Sequence, residues 1–259
     1  LTASSFLAYT DTLRVVRIGN SNDMNNAADG STAPTILNDE DYETQQGSLS
    51  SHAWIAKYPG NMGNNLAVSI CATGAEYETS LPGSFSVSRG SKTVSYTQSG
   101  SENLSEYFNP DDYFVADSDR FAVQTAQFVI SVSDTSGFSA GETITGDSTG
   151  FTAKIVSIDS ATDMTVNVTS GVWVESEAIT SSGGGTATST TINSQDLILV
   201  RLYGGVSTPS STTRLWQFAP YFGNAPATGE LHVVVVDDGG EISSVEGTVL
   251  ETYGDLRET

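Results

Sequence analysis

Apolar and polar residues alternate in short runs along most of this chain. The runs at 85–88, 93–96 and 151–158 have the period of two residues that is typical of half-buried strands. An apolar period of 3.6 residues never persists beyond about three turns, so only short helices are expected. They are predicted at 3–9 and after Asn38, a favourable N-cap that is followed by acidic residues. The pattern predicts an α+β fold that is predominantly β.

The most distinctive segment lies at 53–70. Two apolar runs, 53–58 and 66–70, flank a stretch that is rich in Pro, Gly and Asn. Pro presets φ for a turn, while Gly and Asn tolerate positive φ. The segment is therefore expected to form a strand, a compact turn and a second strand.

The stretch 126–196 differs from the rest of the chain in composition, with eight acidic residues, one basic residue and dense Ser, Thr and Gly. It contains a weak repeat, in which 137–145 recurs as 171–180, and each copy leads into an alternating strand, 151–158 or 186–192. Two copies are too few for a solenoid, which needs about three or more. A small barrel or sandwich is expected instead, because closing a sheet removes its exposed edges. An apolar strand at 197–203 then resumes the main domain.

These patterns divide the chain into three parts. Residues 1–43 are expected to be the end of an N-terminal α/β layer and a linker. Their strand at 13–18 has no evident hairpin partner, so segments outside this chain would complete its sheet. Residues 44–125 and 197–259 are expected to form one discontinuous β-rich domain, into which 126–196 is inserted as a small β module.

The charge balance excludes some classes of partner. The formal net charge is −21, from 31 acidic and 10 basic residues. A nucleic-acid surface needs clustered Lys and Arg, which this sequence does not show. Apolar runs are too short to cross a membrane, and the start of the chain does not have the pattern of a signal peptide. The first residue is Leu1, which suggests a fragment or a processed product.

Few side chains suggest catalysis. His52 and His232 are the only histidines, and no Gly-x-Ser-x-Gly motif accompanies them, so both are expected to be structural. Asp237 begins an Asp-Asp-Gly-Gly stretch that lacks the acid spacing of a calcium loop. It is expected to be a hairpin turn before a return strand at Ile242. The turn at 109–112 is interpreted in the same way.

Two nearby acids could imitate a glycosidase pair. Glu175 and Glu177 lie two residues apart on a predicted strand, in a Ser-rich segment that favours a solvated face. Cys71 has no partner for an internal disulfide and is expected to be a buried small apolar residue. The tryptophans are expected to anchor the core rather than to stack on sugars; they are Trp54, Trp173 and Trp216. No catalytic, cofactor or metal site is predicted.

Three stretches resemble, in the same order, the contractile-tail sheath proteins of myovirus-type bacteriophages. Residues 58–70 match the pattern Tyr-Pro-Gly-x-x-Gly-Asn-x-Leu-x-Val-x-Ile. Residues 6–18 resemble a sheath helix and strand, Phe-Leu-x-Tyr followed by Leu-Arg-Val-Val-Arg. Residues 230–242 resemble a sheath hairpin. The apolar-Asn-acid-acid-acid-Tyr-Glu stretch at 37–43 is similar to one that precedes the Tyr-Pro-Gly segment in that family.

The resemblance implies a structural virion protein and not an enzyme. Such a sheath subunit polymerises as hexameric rings, stacked helically around the tail tube, and contracts to drive the tube through the host envelope. Its implied partners are further copies of itself, the tail tube protein, and the baseplate and tail terminator proteins, with no direct contact to nucleic acid or membrane. It is assembled in the host cytoplasm and located in the tail. In this family, terminal arms add strands to the sheets of neighbouring subunits.

Other functions stay open at this point. The sheath of a contractile injection system or pyocin-like particle would have the same sequence pattern. A β-rich adhesin or carbohydrate-binding module would share the Ser, Thr and Gly content, and a secreted β-fold hydrolase would need an acid/base pair. The acidic module at 126–196 is expected to face outward from a sheath, because it is poor in the large apolar patches that obligate interfaces need.

Overall fold

A computed structural model describes residues 25–29 and 32–257 of the chain. The helix predicted at 3–9 and the strand predicted at 13–18 lie outside these residues. The described part is mainly β, as expected, with two short helices, α1 (Asp39–Gln45) and α2 (Gly74–Tyr77). The Asn38 side chain caps α1 by accepting a hydrogen bond from the Asp41 amide.

The strands are short, apart from two of fourteen residues each. In chain order they are β1 (Leu66–Cys71), β2 (Glu78–Ser80), β3 (Ser84–Val87), β4 (Thr93–Thr97), β5 (Tyr113–Ala116), β6 (Asp119–Val132), β7 (Thr143–Gly146), β8 (Thr152–Ile158), β9 (Asp163–Ser170), β10 (Ala178–Ser181), β11 (Thr186–Leu199), β12 (Thr212–Leu215), β13 (Glu230–Asp237) and β14 (Thr248–Arg257).

The contacts between residues divide the chain into two compact units. The first unit consists of the described residues up to 69 together with 233–252, and the second consists of 70–232 and 253–257. A three-stranded sheet has the order β1-β13-β14. The strands predicted at 66–70 and 233–236 are therefore neighbours in one sheet.

Six strands of the second unit close into a barrel. Around the ring the order is β6-β9-β8-β7-β10-β11, and β11 pairs back onto β6. Every neighbouring pair is antiparallel. Alternate residues point inward and are at most 1% exposed; they include Phe128, Ile130, Ile155, Met164 and Val166. The expected small closed β module is confirmed.

The two copies of the weak sequence repeat contribute neighbouring strands of this barrel. Strands β7 and β10, one from each copy, pair antiparallel. The Asp147 amide donates to Ala178 O at 2.9 Å, and the Ser182 amide donates to Thr143 O at 2.8 Å. Backbone hydrogen bonds therefore join the two copies edge to edge.

The barrel shares its two long strands with a second, curved sheet. The first half of β6 pairs with β5, and the last part of β11 pairs with β4. Strands β12 and β2 extend this sheet beyond β5, and β3 extends it beyond β4. Phe85 of β3 contacts Phe114 of β5 with ring centroids 5.2 Å apart, so the two halves curl over one core. Phe121 and Tyr203, with centroids 4.9 Å apart, fill the same core.

The barrel is not separated from this sheet by a linker. β6 runs through residue 126 and β11 runs through residue 196 without a break. The strands expected separately at 186–192 and 197–203 are in fact largely one strand, β11, which has register shifts near Ser189 and Ile192. The division into a discontinuous domain with an inserted module at 126–196 stays a prediction.

One predicted strand is wrong. Residues 53–58 make only an isolated bridge, between Ile55 and Ala28. Side chains occupy the backbone groups that a strand partner would need, because the Asp29 carboxylate accepts from the Trp54 amide at 2.9 Å and the Asn26 side chain donates to Ala56 O at 2.8 Å.

The return strand predicted at Ile242 is also wrong, since β14 begins only at Thr248. The buried Asp237 carboxylate explains this difference. It accepts hydrogen bonds from the Ile242 amide at 3.0 Å and from the Ser243 hydroxyl at 2.8 Å. These bonds hold the connection open as a wide loop instead of a tight turn.

Candidate assembly surfaces

The Tyr-Pro-Gly segment is held by backbone and amide contacts. Gly60 has φ of +117°, a conformation that favours glycine, and its amide donates to Asn25 O at 2.8 Å. The buried Asn26 side chain binds two neighbouring segments, because it accepts from the Ile36 amide at 2.7 Å and donates to Ala56 O. The turn at Gly60 was predicted from the sequence, whereas Asn26 was missed because it lies in an Asn-rich stretch that resembles an ordinary loop.

The second glycine of the motif allows close packing. A Cβ atom at Gly63 would lie 2.8 Å from the Ala27 Cβ and 2.9 Å from the Ala56 Cβ. Tyr58 and Met62, in contrast, are 74% and 56% exposed. The glycines of the motif are therefore structural, and the Tyr58 and Met62 side chains are on the surface.

The three-stranded sheet has two outer strands, β1 and β14. Within residues 25–29 and 32–257, no further strand pairs with the outer edge of either. The last seven residues of β14, 251–257, are exposed. Outer strands are the places where an extended segment can add to a sheet through backbone hydrogen bonds.

The end of β14 is fixed by His232 and Glu230. The Asp255 amide donates to Nδ1 of the buried His232 at 3.2 Å, and Nε2 of His232 faces Asn224 O at 2.9 Å. With Nδ1 as the acceptor, Nε2 is the ring nitrogen that donates to Asn224 O. Glu230 accepts from Arg257 Nε at 2.8 Å. His232 thus orders the strand.

His52 lies in the first unit, whereas His232 lies in the second. The His52 ring contacts the backbone oxygen of Asp29. The side-chain carboxylate of the same Asp29 accepts from the Ala53 and Trp54 amides. Both histidines are thus bound to backbone groups, which is the structural use that the sequence predicted.

The interpretation of Glu175 and Glu177 as a solvated pair on one strand face is wrong. Both residues lie in a turn before β10, and Glu177 is only 5% exposed. Its carboxylate accepts from the amides and hydroxyls of Ser148 and Thr149, at 2.6 to 2.9 Å. Burial opposes ionisation, but these hydrogen bonds lower the pKa of Glu177 below its usual value. The carboxylate therefore links the turn before β10 to the connection between β7 and β8, while Glu175 is exposed.

A buried ion pair anchors the turn at 109–112. Asp112 is fully buried and accepts from Arg214 Nε at 2.9 Å and from the Gln217 amide at 3.1 Å. Burial raises the pKa of Asp112, and the Arg214 charge opposes that rise. The turn was predicted. Arg214 is 102 residues from Asp112 in sequence, so no local sequence pattern could predict their pairing.

The core position predicted for the three tryptophans is confirmed for two of them and wrong for the third. Trp173 and Trp216 are buried, as expected, and Trp173 contacts Phe151 edge-to-face at 5.3 Å. Trp54 is 39% exposed, so its expected core position is wrong.

Cys71 is buried as predicted, and burial raises the pKa of its thiol to about 11.

The described residues contain no group of three or more His, Cys, Asp or Glu side chains that could hold a metal ion. Among the same residues, none of the helices has the length and apolar content needed to cross a membrane. What the described surface offers is the two outer strands of the three-stranded sheet and exposed apolar side chains.

Part of the chain is similar to a known phage protein. A stretch of 71 residues, 27% of this chain, is 37% identical to the tail sheath protein of Salmonella phage ViI. The stretch spans only 11% of the length of that relative. No family model and no solved structure matches the chain. The sequence is therefore distantly and partially similar to a structural protein of a phage tail, and no enzyme family matches it.

Proposed function

We propose that this chain is part of a tail sheath subunit of a bacteriophage, which polymerises around the tail tube. The similarity of 71 residues to a tail sheath protein carries this proposal. The Tyr-Pro-Gly segment supports it, because its glycines serve packing and leave Tyr58 and Met62 on the surface.

The outer position of β1 and β14 in the three-stranded sheet fits a polymerising subunit. An arm from a neighbouring copy would extend the sheet at β1 or β14 by backbone hydrogen bonds. Affinity would then come from the backbone, and the register from the side chains that alternate along the strand. Six copies would form a ring, and rings would stack helically.

Contraction requires two packings of the same subunits. The sheath would assemble in a metastable extended lattice, and release at the baseplate would spread from ring to ring into a lattice of lower free energy. The proposed partners are therefore other copies, the tail tube, the baseplate and the tail terminator, and the proposed location is the virion tail after assembly in the host cytoplasm. Direct contact with nucleic acid or membrane is not part of the proposal.

The sheath of a contractile injection or pyocin-like particle is supported by the same similarity. An adhesin or carbohydrate-binding module has less support, because Trp173 is buried against Phe151 and is not exposed as a stacking surface for a sugar.

Immunogold electron microscopy tests the proposal. Antibodies raised against the barrel should label particles along the whole tail, in both extended and contracted tails. Labelling confined to fibre tips or to the baseplate would contradict a sheath subunit. A particle that contracts but carries no genome would identify the injection-system alternative.

A further inference from the structure

The end of β14 lies over a stack of aromatic rings. His232 and Phe222 lie face to face, with ring centroids 4.2 Å apart and an angle of 1° between the ring planes. The Tyr77 ring meets the same imidazole edge-on, at 6.2 Å between centroids. Gly254 passes close to this stack, because a Cβ atom there would lie 3.3 Å from Phe222 Cδ1 and 3.7 Å from His232 Nδ1. These residues all belong to the second unit.

Asp255, the next residue of the strand, has an unusual backbone conformation. Its φ is +53°, in the left-handed region, which costs free energy for a residue with a Cβ atom. Its amide donates to His232 Nδ1 at 3.2 Å. A ring nitrogen that accepts a hydrogen bond carries no proton of its own, so this contact exists only while Nδ1 is unprotonated. The bond to the ring therefore offsets the backbone strain in that state alone.

The side chain of Asp255 offers the protonated ring a second partner. Its Oδ1 lies 4.0 Å from His232 Nδ1. A ring with protons on both nitrogens would donate from Nδ1 to this carboxylate, while Nε2 keeps its contact with Asn224 O at 2.9 Å. The amide that donates to Nδ1 and the carboxylate that accepts from it belong to the same residue. Protonation therefore exchanges one for the other and removes the bond that holds the Asp255 backbone.

Other titratable or charged groups face the ring or its partners from three elements. On β13, Glu230 accepts from Arg257 of β14, and this hydrogen bond and the charges of Arg257 and His232 lower the pKa of Glu230. On α2, burial raises the pKa of Tyr77, so its phenol is uncharged at pH 8. Carboxyl groups ordinarily titrate near about pH 4 and histidine near about pH 6.5. The imidazole is thus the group of this set that is expected to change its charge between pH 8 and 5.

We propose that His232 is a pH-dependent clasp for the end of β14. With Nδ1 unprotonated, the ring binds the Asp255 amide and keeps 255–257 in place. When the ring takes up a proton, the amide is released, Asp255 leaves the left-handed conformation and 255–257 become mobile. The clasp is closed at neutral pH and opens in acid, because only the open form binds the additional proton.

The clasp does not rest on the proposed sheath function. It is a property of contacts within one unit of the chain. Since β14 is an outer strand of its sheet, the pH would control whether its last residues are ordered for backbone pairing with an added segment.

Hydrogen exchange of the full chain over pH 8 to 5 tests the clasp. After correction for the intrinsic exchange rate, the protection of the Asp255 amide should be constant from pH 8 to 7.5 and fall at least about fivefold by pH 5. The Ser182 amide, which donates to Thr143 O in the barrel, reports global stability and should keep its protection. Nitrogen NMR of the imidazole should show Nδ1 gaining a proton over the same pH range as the loss of protection.

Three variants separate the clasp from other causes. His232→Gln retains an acceptor and a donor but does not titrate, so the Asp255 amide should lose its pH dependence. Asp255→Asn tolerates a positive φ but has no carboxylate, and should move the midpoint at least about 0.5 pH unit lower. His52→Gln changes the other histidine and should leave the profile unchanged. Circular dichroism identifies any variant that misfolds, and Asp255→Asn keeps the test decisive if His232→Gln does not fold.

Protection of the Asp255 amide that stays constant while Nδ1 becomes protonated would overturn the proposal. A ring that stays unprotonated down to pH 5 would also overturn it. The same loss of protection in His232→Gln would assign the pH dependence to another group, with Glu230 the nearest in sequence. An unchanged midpoint in Asp255→Asn would contradict the exchange of partners.

Discussion

At the scale of single residues, the most informative side chain is Glu177. It is the buried acid that links the turn before β10 to the β7–β8 connection, since its four donors come from Ser148 and Thr149. Gly146 leaves room for it, because a Cβ atom there would lie 2.5 Å from the carboxylate. Glu177 therefore acts as a structural connector rather than as a catalytic acid.

Glu177→Gln should destabilise the barrel by about 1–3 kcal/mol, because the amide keeps one acceptor oxygen and turns an NH₂ group toward buried donors. Urea unfolding at neutral pH measures the change. Glu175→Gln is the matched control, since Glu175 is exposed two residues away and should change stability by less than about 0.5 kcal/mol. Equal effects of the two variants would contradict the role of Glu177.

The same carboxylate predicts a pH dependence. Its pKa is lowered in the folded state, since the hydrogen bonds outweigh the effect of burial. The stabilisation is therefore complete above the unfolded pKa of about 4.3 and is lost as the pH falls through the folded value. The difference in unfolding free energy between the wild type and Glu177→Gln should be constant from about pH 6 to 8 and shrink below about pH 4. A difference that grows in acid would have the wrong sign.

At the scale of elements, the Tyr-Pro-Gly segment depends on the contact of Gly63 with Ala27 and Ala56. Gly63→Ala should loosen this segment by about 1–3 kcal/mol, because the methyl group meets two Cβ atoms that are fixed by the backbone. Hydrogen exchange of the Ala56 amide, which donates to Ala27 O at 2.7 Å, should become at least about fivefold faster. Gly47→Ala is the control, with nothing within 4 Å of the added methyl, and should leave that amide unchanged.

The alternating pattern predicted individual strands better than their partners. Periodicity of two sufficed for β3, β4 and β8, because each has a half-buried face and a partner close in sequence. The closure of β11 onto β6 joins residues more than 50 positions apart and depends on tertiary packing. For the same reason the Asp112–Arg214 pair had no local signal.

The candidate surfaces were predictable only in part. The turn at Gly60 follows from its composition, because the positive φ there favours glycine. The exposure of Trp54 does not, because Asp29 and Asn26 bind the backbone of the run that was expected to be a strand. Here side chains bind backbone groups that a neighbouring strand would otherwise bind. Such contacts leave no periodic pattern in the sequence, so they could not be predicted from it.

At the scale of the whole molecule, the barrel is proposed to face outward and to be dispensable for contraction. Its ends suit a deletion, because Gln127 and Asp196 are paired across β6 and β11. Replacing 127–195 by a short Gly/Ser linker should leave a chain that still assembles into a sheath and contracts. Loss of assembly in a deletion variant that remains folded would show that the barrel is an interface.

The most direct test of a sheath function is a cryo-electron microscopy reconstruction of the tail that carries this chain, before and after contraction. The account predicts six copies in each ring of the outer wall, with the same subunit fold in both states and a different packing between rings. A wall built from another protein, with this chain elsewhere in the particle or absent, would contradict it.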